Sequence, residues 1–275
     1  MSASFGRGLH AAPGRAVSIS AYERYLGRWS RLTVPDLLAA AHVAPGHHVL
    51  DVATGTGEAA VMAVPMVGDP GFVVGADISL EMITSARARL EAPLYWPVNA
   101  DGQALPFKDG AFDAVVCQLG LQFFPNPAAG LAEFHRVVRR GGMVAVCVNS
   151  TPDRLPMWGH LRDALDRFLT QDQRSVLALS WSLADRARLE RLFSEAGFQD
   201  IRVEQVRREG TIDGFDDYWA PVEEGVGQIP QTYRALGESD RRAVREEVRS
   251  RLARYETRDG KMTMAVETLI ASGRA

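Results

Sequence analysis

A doubly wound α/β fold is predicted for this chain of 275 residues, on two observations. Apolar runs of strand character alternate with helical patterns from Val49 to Val148, an order that calls for a parallel sheet with helices on both faces. The first of these strands, Val49-Leu50-Asp51-Val52, also runs through Ala53-Thr54-Gly55-Thr56-Gly57 straight into a helix. A glycine turn therefore lies where open α/β sheets bind ligands.

Each element follows from its local pattern. Residues 1 to 17 are rich in Gly, Ala and Ser, carry no period, and are expected to be a disordered tail. Ala21 to His42 is helical in pattern: Thr33 and Asp36 have the spacing of a capping box, and Leu37, Leu38 and Ala41 share an apolar face. Pro45-Gly46 break that helix before the first strand. Val73 to Ile78 reads as the second strand, and Ser79 as N-cap of a helix bearing Met82, Ile83, Ala86 and Leu90 at helical spacing. A third strand precedes Asp101, and Phe112 to Gln118 is the fourth. Asn126 and Pro127 open a helix that turns Leu131, Phe134 and Val138 inward and is expected to end at Gly141, before the fifth strand, Met143 to Val148. Leu189 to Phe198 is a helix closed by glycine, Ile201 to Val206 a strand, and Met262 to Ile270 the last one. Residues 211 to 260 stand outside the alternation. Their helix around Val244, Val248 and Leu252 puts arginines on the face opposite its apolar one, a face expected to be simply solvated.

Composition narrows the class. Apolar content of 46% and charged content of 24% are those of a soluble globular protein. The length suits one domain, expected over 18–275 with cap segments 18–44, 151–185 and 211–260. A net charge of −3 speaks against a nucleic-acid partner, which calls for a strongly basic face. No apolar run approaches the ~20 residues of a membrane span. The first residues, with Arg7, His10 and Arg15 among Gly and Ala, lack the apolar centre of a secretory signal. Cys117 and Cys147 fall in strands and read as core filler, which argues against an oxidising compartment. A cytoplasmic protein with a small-molecule substrate is expected.

The glycine turn points to the ligand. Gly55 and Gly57 let the backbone turn tightly and approach a ligand closely. Gly55 to Ala60 also matches the loose dinucleotide fingerprint, which keeps a nicotinamide-dependent oxidoreductase as an alternative. Asp51 weighs against it: a carboxylate repels a pyrophosphate and attracts an adenosyl ligand with a free ammonium. S-adenosylmethionine (SAM) is such a ligand. Asp77, ending the second strand, can accept from both ribose hydroxyls, and Asp101, after the third, is placed for the adenine amino group.

Together with Phe112-Asp113-Ala114-Val115-Val116-Cys117-Gln118 and the stretch Leu131 to Gly142, these motifs resemble the class I SAM-dependent methyltransferases. They are most similar to the small-molecule branch of the ubiquinone and menaquinone biosynthesis type. The resemblance covers about residues 45 to 150 and extends more weakly to Tyr22 through Arg31. Thr54 stands where that family often has Cys or Gly, and Arg140 replaces its usual Pro. The resemblance implies a Rossmann-like, mostly parallel sheet of seven strands whose last strand is antiparallel, with a small helical cap. It implies SAM as cofactor and methyl transfer to a small, partly apolar metabolite. Expected cofactor contacts are Asp51, Ala53, Gly55, Gly57, Asp77, Ile78, Met82, Asp101, Gly102 and Gln118. Tyr22 and Trp29 are expected to close over the sulfonium, since ring faces favour a cation.

Methyl transfer from a sulfonium is an in-line displacement, so alignment and water exclusion are the main tasks. No catalytic triad or metal-ligand spacing is seen; His47-His48 lack partners, and no metal is expected. Were the acceptor a hydroxyl, a general base would help, and His160, after the fifth strand, is the candidate, with Glu223 and Glu224 behind it. Gln122, Phe123, Trp158, Trp181 and Trp219 are expected to wall the substrate pocket. With no assured base, a second reading stays open: cyclisation or isomerisation of an apolar metabolite with SAM as a structural ligand. A non-catalytic nucleoside-binding partner is a third.

Overall fold

The computed structural model describes residues 19–90 and 93–275; the expected tail lies outside the described residues. The chain enters through α1 (Ile19–Tyr22), a π-helical turn (Glu23–Gly27), α2 (Arg28–Ser30) and α3 (Val34–Ala40). The alternation follows as β1 (His48–Val52), α4 (Glu58–Val67), β2 (Phe72–Asp77), α5 (Leu80–Arg89), β3 (Tyr95–Asn99), β4 (Phe112–Gln118), α6 (Pro127–Val137) and β5 (Val138–Asn149). After it come α7 (Pro156–Leu165), α8 (Gln171–Ala178), α9 (Arg186–Glu195) and β6 (Gln199–Ile212). Helices α10 (Phe215–Glu224), α11 (Gln228–Arg234) and α12 (Glu238–Leu252) precede β7 (Met262–Arg274).

The seven strands form one sheet in the order β3-β2-β1-β4-β5-β7-β6, with β7 antiparallel to both neighbours. Because β1 is flanked by β2 on one side and β4 on the other, the winding reverses there and opens a crevice at the strand C-termini. Period-two alternation loads both faces. Leu50, Val52, Val115, Cys117, Val144 and Val146 pack under α6 and α9, whereas Val49, Ala114, Val116, Ala145 and Cys147 pack under α3 and α4. A third apolar core, holding Trp29, Leu155, Trp219, Val244, Val248 and Leu252, belongs to the cap.

Several local expectations hold. The Ser79 side chain caps α5 by accepting from the Met82 N–H, and the Asn126 side chain caps α6 by accepting from Ala129. Both cysteines are buried and free.

Others are corrected. Thr33 makes no capping box: its hydroxyl donates to the Ser30 carbonyl and accepts from Gln118, while Asp36 pairs with Arg208. Helix α6 stops at Val137, because Val138 already pairs with Phe112 in the sheet, so Gly141 lies within β5 rather than ending the helix. Strands β6 and β7 run past Val206 and Ile270, paired as far as Ile212 with Met262. The polar run Arg207-Arg208-Glu209-Gly210 hid this continuation, and the added length is the arm on which the cap sits. The arginine face of α12 is not merely solvated. Arg245 and Arg249 pair with Asp216, and both lie over the Phe215 ring.

Candidate active site

The crevice is roofed, and the resulting cavity measures about 1380 Å³ counted out to its open mouth. Even allowing for the mouth, that is the scale of a small-molecule site, about 300–1,000 Å³. One end is built by the turns after β1 and β2, with Ala53, Gly55, Asp77, Ile78 and Met82 on its wall. Gln118 and Gln122 follow after β4, and Trp158, Trp181 and Gln228 close the far end from the cap. Tyr22, Tyr25 and Leu26 come over the top.

Backbone strain collects here. Ala53 and Leu119 both adopt left-handed φ, +57° and +55°, although each carries a Cβ. Gly120 allows their strands to meet, since a Cβ on it would stand 2.3 Å from that of Ala53. Gly55 is left-handed too, φ +55°, and a Cβ there would project toward the Tyr22 hydroxyl across the cavity. Its N–H donates to Asp77 at 2.9 Å, and Asp77 also accepts from the Ser79 N–H, so one carboxylate fixes the turns after β1 and β2 together.

Charge is confined to the same end. Glu58, first residue of α4, and Glu23, on the roof, share the Arg89 guanidinium at 2.6 and 2.8 Å, with Arg31 against both. Burial, then a hydrogen bond and charge from Glu58, push the Glu23 carboxyl up. Burial, with Asp77, Glu58 and Glu23 nearby, also pushes up the Tyr22 phenol, which stays protonated. Toward the cap the polar groups are neutral, and many are unsatisfied. Tyr25 Oη, Gln118 Oε1, Asn149 Oδ1, Trp158 Nε1, Trp181 Nε1 and both amide atoms of Gln228 are buried without a hydrogen-bond partner in the protein, and all seven belong to residues on the cavity wall. Each such atom costs about 1–3 kcal/mol unless a ligand or water pairs with it.

Comparison with known proteins decides the family. Residues 50–146 match the model of a methyltransferase domain. The demethylmenaquinone methyltransferase of Corynebacterium kroppenstedtii is 36% identical over 168 residues, spanning 57% of this chain and 70% of that protein. The chain belongs to the class I SAM-dependent methyltransferases. The ubiquinone/menaquinone biosynthesis C-methyltransferase of Coxiella burnetii is 34% identical over 169 residues, 56% of this chain and 68% of its own. Among solved structures, phosphoethanolamine N-methyltransferase 2 of Haemonchus contortus, with S-adenosylhomocysteine bound, aligns at a TM-score of 0.57 and 18% identity. That alignment covers 93% of this chain and 56% of the other, a likeness of fold alone. This methyltransferase uses SAM and transfers its methyl group to a small metabolite. Among the described residues, no helix is long and apolar enough to cross a membrane.

The methyltransferase brings most of the expected residues together. Tyr22, Ala53, Gly55, Asp77, Ile78, Met82 and Gln118 stand on the cavity wall, as do Gln122, Phe123, Trp158 and Trp181. Others lie elsewhere for definite reasons. Asp51 does not face the cavity: it is 1% exposed beneath Thr54, whose hydroxyl donates to it at 2.6 Å. Burial pushes its carboxyl up to about 7, with the Thr54 bond opposing and the Asp77 charge adding. Gly57 serves helix packing, because a Cβ on it would meet Leu90 at 2.8 Å. Asp101 accepts from the Gln103 N–H, and Gly102 admits the Phe124 ring; neither is on the wall. Phe124 is core, unlike its neighbour Phe123. Trp29 turns away to lie on Gly210 of β6, and Trp219 is buried in the cap with its indole N–H donated to Glu223.

The expected base is also misplaced. His160 follows Trp158 by two residues on α7, about 200° around the helix, so only one of them can face the cavity. His160 instead contacts Arg254 at 3.2 Å and lies against Tyr255, with burial and Arg254 holding its imidazole below the usual range. Glu223 accepts from Trp219 and Tyr233, and Glu224 pairs with Arg24, so neither is on the wall. Asn149, Ser180 and Gln228 were missed. Only Gly227 just before Gln228, left-handed at φ +82°, marks that position in sequence.

Proposed function

We propose that this methyltransferase holds SAM at the end of the cavity formed after β1 and β2, and methylates a ring of the hydroxylated quinone-precursor type lodged against the cap. The observation that carries this reading is the aromatic wall of Phe123, Trp158 and Trp181, which faces the glycine turn across one continuous cavity. It accords with the names of the relatives, which act on demethylmenaquinone or in ubiquinone and menaquinone biosynthesis. The residues fit the adenosyl ligand. The left-handed Gly55 leaves the wall clear beside Tyr22, and Asp77 presents an acceptor suited to ribose hydroxyls.

SAM supplies an activated methyl group, so the protein's own work is alignment and exclusion of water. Gln118 is locked for that purpose: its amide N donates to Ser30 O at 2.9 Å and Thr33 Oγ1 at 3.1 Å, leaving its carbonyl as an acceptor on the wall. Phe123, Trp158 and Trp181 give a flat acceptor aromatic surface to pack against. No His, Asp, Glu or Lys is found on the cap end of the wall among the described residues, so the acceptor supplies the nucleophile. An electron-rich ring carbon takes the methyl group, the S–CH3 bond breaks to leave S-adenosylhomocysteine, and the displaced ring proton leaves to solvent through the open mouth. The cap segments 18–44, 151–185 and 211–260 thus belong to one catalytic domain.

The test is transfer from methyl-labelled SAM to a short-chain demethylmenaquinol, read by mass spectrometry. A singly methylated ring is expected. Tight SAM binding without any ring methylation would remove the acceptor class and leave the cofactor assignment standing.

A further inference from the structure

The unsatisfied atoms at the cap end share one property: none carries charge. Trp158 and Trp181 offer indole N–H donors; Asn149 offers a carbonyl; Gln228 offers both halves of an amide. Asn149 is 5% exposed, and its orientation is fixed by its partners: Nδ2 donates to the Ser180 carbonyl at 3.1 Å, and its backbone N–H donates to Gln122 Oε1 at 2.9 Å. Its Oδ1 is therefore the atom left over. Gln228 opens α11 behind Gly227, which packs on the Tyr25 ring, so the same roof that covers the cavity carries this amide. The carboxylates on the wall, Glu58 and Asp77, belong to the other end, held by Arg31 and Arg89 or by backbone N–H groups. Arg162, which lies over the Trp181 ring, is paired with Asp163.

We infer that the cap end of the cavity selects an electrically neutral acceptor carrying a carbonyl or hydroxyl oxygen beside an N–H or O–H on one edge, read by Trp158, Trp181, Asn149 and Gln228. A buried site of neutral dipoles pairs with such an edge, and it charges the desolvation penalty of an ion without a counter-ion to offset it. Carboxylated, phosphorylated and ammonium-bearing acceptors are rejected on that ground, and a plain hydrocarbon is rejected because it leaves the dipoles unpaired. The inference rests on this cavity being the acceptor site of a methyltransferase, but not on the quinone-precursor class.

The experiment uses the full chain saturated with S-adenosylhomocysteine and three probes of one size: 2-naphthamide, 2-naphthoate and 2-naphthylmethylammonium, titrated by calorimetry. Naphthamide is expected to bind at least tenfold more tightly than either ion. Gln228→Met and Asn149→Leu, which nearly keep shape and lose the polar atoms, are each expected to weaken naphthamide roughly fivefold, the scale of one hydrogen bond. Affinity for S-adenosylhomocysteine should stay within twofold. Gln228→Glu should turn the preference toward the ammonium probe. An ion bound as tightly as the amide by the unmodified protein, an amide affinity indifferent to both substitutions, or no binding of any probe would each overturn the inference. Because methyl transfer is not read here, these outcomes stand apart from success or failure with a demethylmenaquinol.

Discussion

Thr56 Oγ1 donates to Glu23 Oε1 at 2.9 Å, joining the glycine turn after β1 to the π-helical turn on the roof. The same Glu23 oxygen meets Arg89, which also holds Glu58. Floor and roof are thus tied by two carboxylates around one shared guanidinium.

That arrangement predicts a pH-dependent cost for losing the cation. In Arg89→Met the two carboxylates face each other with only Arg31 between them, and stability should fall by about 2 kcal/mol near pH 8. The sign follows from Glu23, whose carboxyl is already pushed up by burial and by Glu58. As the pH drops it takes a proton and the repulsion goes. The deficit relative to the unmodified protein should therefore shrink toward pH 5, as read by urea denaturation at both pH values. A deficit that is constant with pH would mean Arg89 acts through packing instead.

Asp77→Ala should weaken SAM binding by roughly 1–3 kcal/mol, the cost of losing hydrogen bonds to a charged acceptor. The loss has two parts, since Asp77 also holds the Gly55 and Ser79 N–H groups. Asp77→Asn keeps one acceptor for that turn and should cost less. Calorimetry on both variants separates ribose contact from turn geometry: equal losses would place the whole effect in the charge.

Gly55→Val combines two penalties. Its φ of +55° is costly for any residue with a Cβ, about 1–2 kcal/mol, and more for a β-branched one. The side chain would also enter the space before the Tyr22 hydroxyl. Lower melting temperature together with loss of SAM binding is expected; normal SAM affinity would refute the close approach.

The cofactor end of this site was legible in sequence because its parts are local. A strand, a glycine turn and a capped helix are contiguous, so the place of Gly55, Asp77 and Met82 on the cavity wall follows without knowing the fold. Phase on α7 is legible only from the helix as a whole: Met157, Trp158, Leu161, Ala164 and Leu165 share one apolar face, which turns Trp158 inward and leaves His160 with Arg162 and Asp163 on the other. Position after the fifth strand is by itself a poor guide to a base. Asp51 is legible as an acid at the strand end, but that the Thr54 hydroxyl covers it is a tertiary fact. Trp29 was lost to Gly210, a partner far along the chain. Asn149 and Gln228 come from β5 and α11, which meet only through the folded cap.

Asp51 carries its own prediction. Burial pushes its carboxyl from the ordinary 3.8 up to about 7 in the folded protein. Between those values the folded state binds more protons, so stability falls as pH rises through that window and levels above it. Asp51→Asn removes the titration. The variant should show a flatter profile of melting temperature from pH 5 to 8 and should match or exceed the unmodified protein at pH 8. A parallel profile would mean that Asp51 does not titrate between pH 5 and 8 in the folded protein.

The roof should respond to cofactor as a unit. Arg24 pairs with Glu224 and Arg28 with Asp217, so the N-terminal helices are fastened to α10 as well as to the glycine turn. The π-helical turn Glu23–Gly27, a geometry common at functional sites, places Tyr25 and Leu26 on the cavity wall, and Tyr25 leans on Gly227. SAM binding beneath this roof should order residues 19–31 and 226–229 together. Helix α12 packs behind α7 through Val244, Val248 and Leu252 and is absent from the wall, so it should not change. Hydrogen exchange with and without SAM reads all three. Protection is expected to rise in the roof and around Ala53 to Gly57, with α12 as the internal control. Protection confined to the glycine turn would show that the roof is not coupled to the cofactor, and a rise spread evenly over α12 would mark general stabilisation by mass action rather than closure.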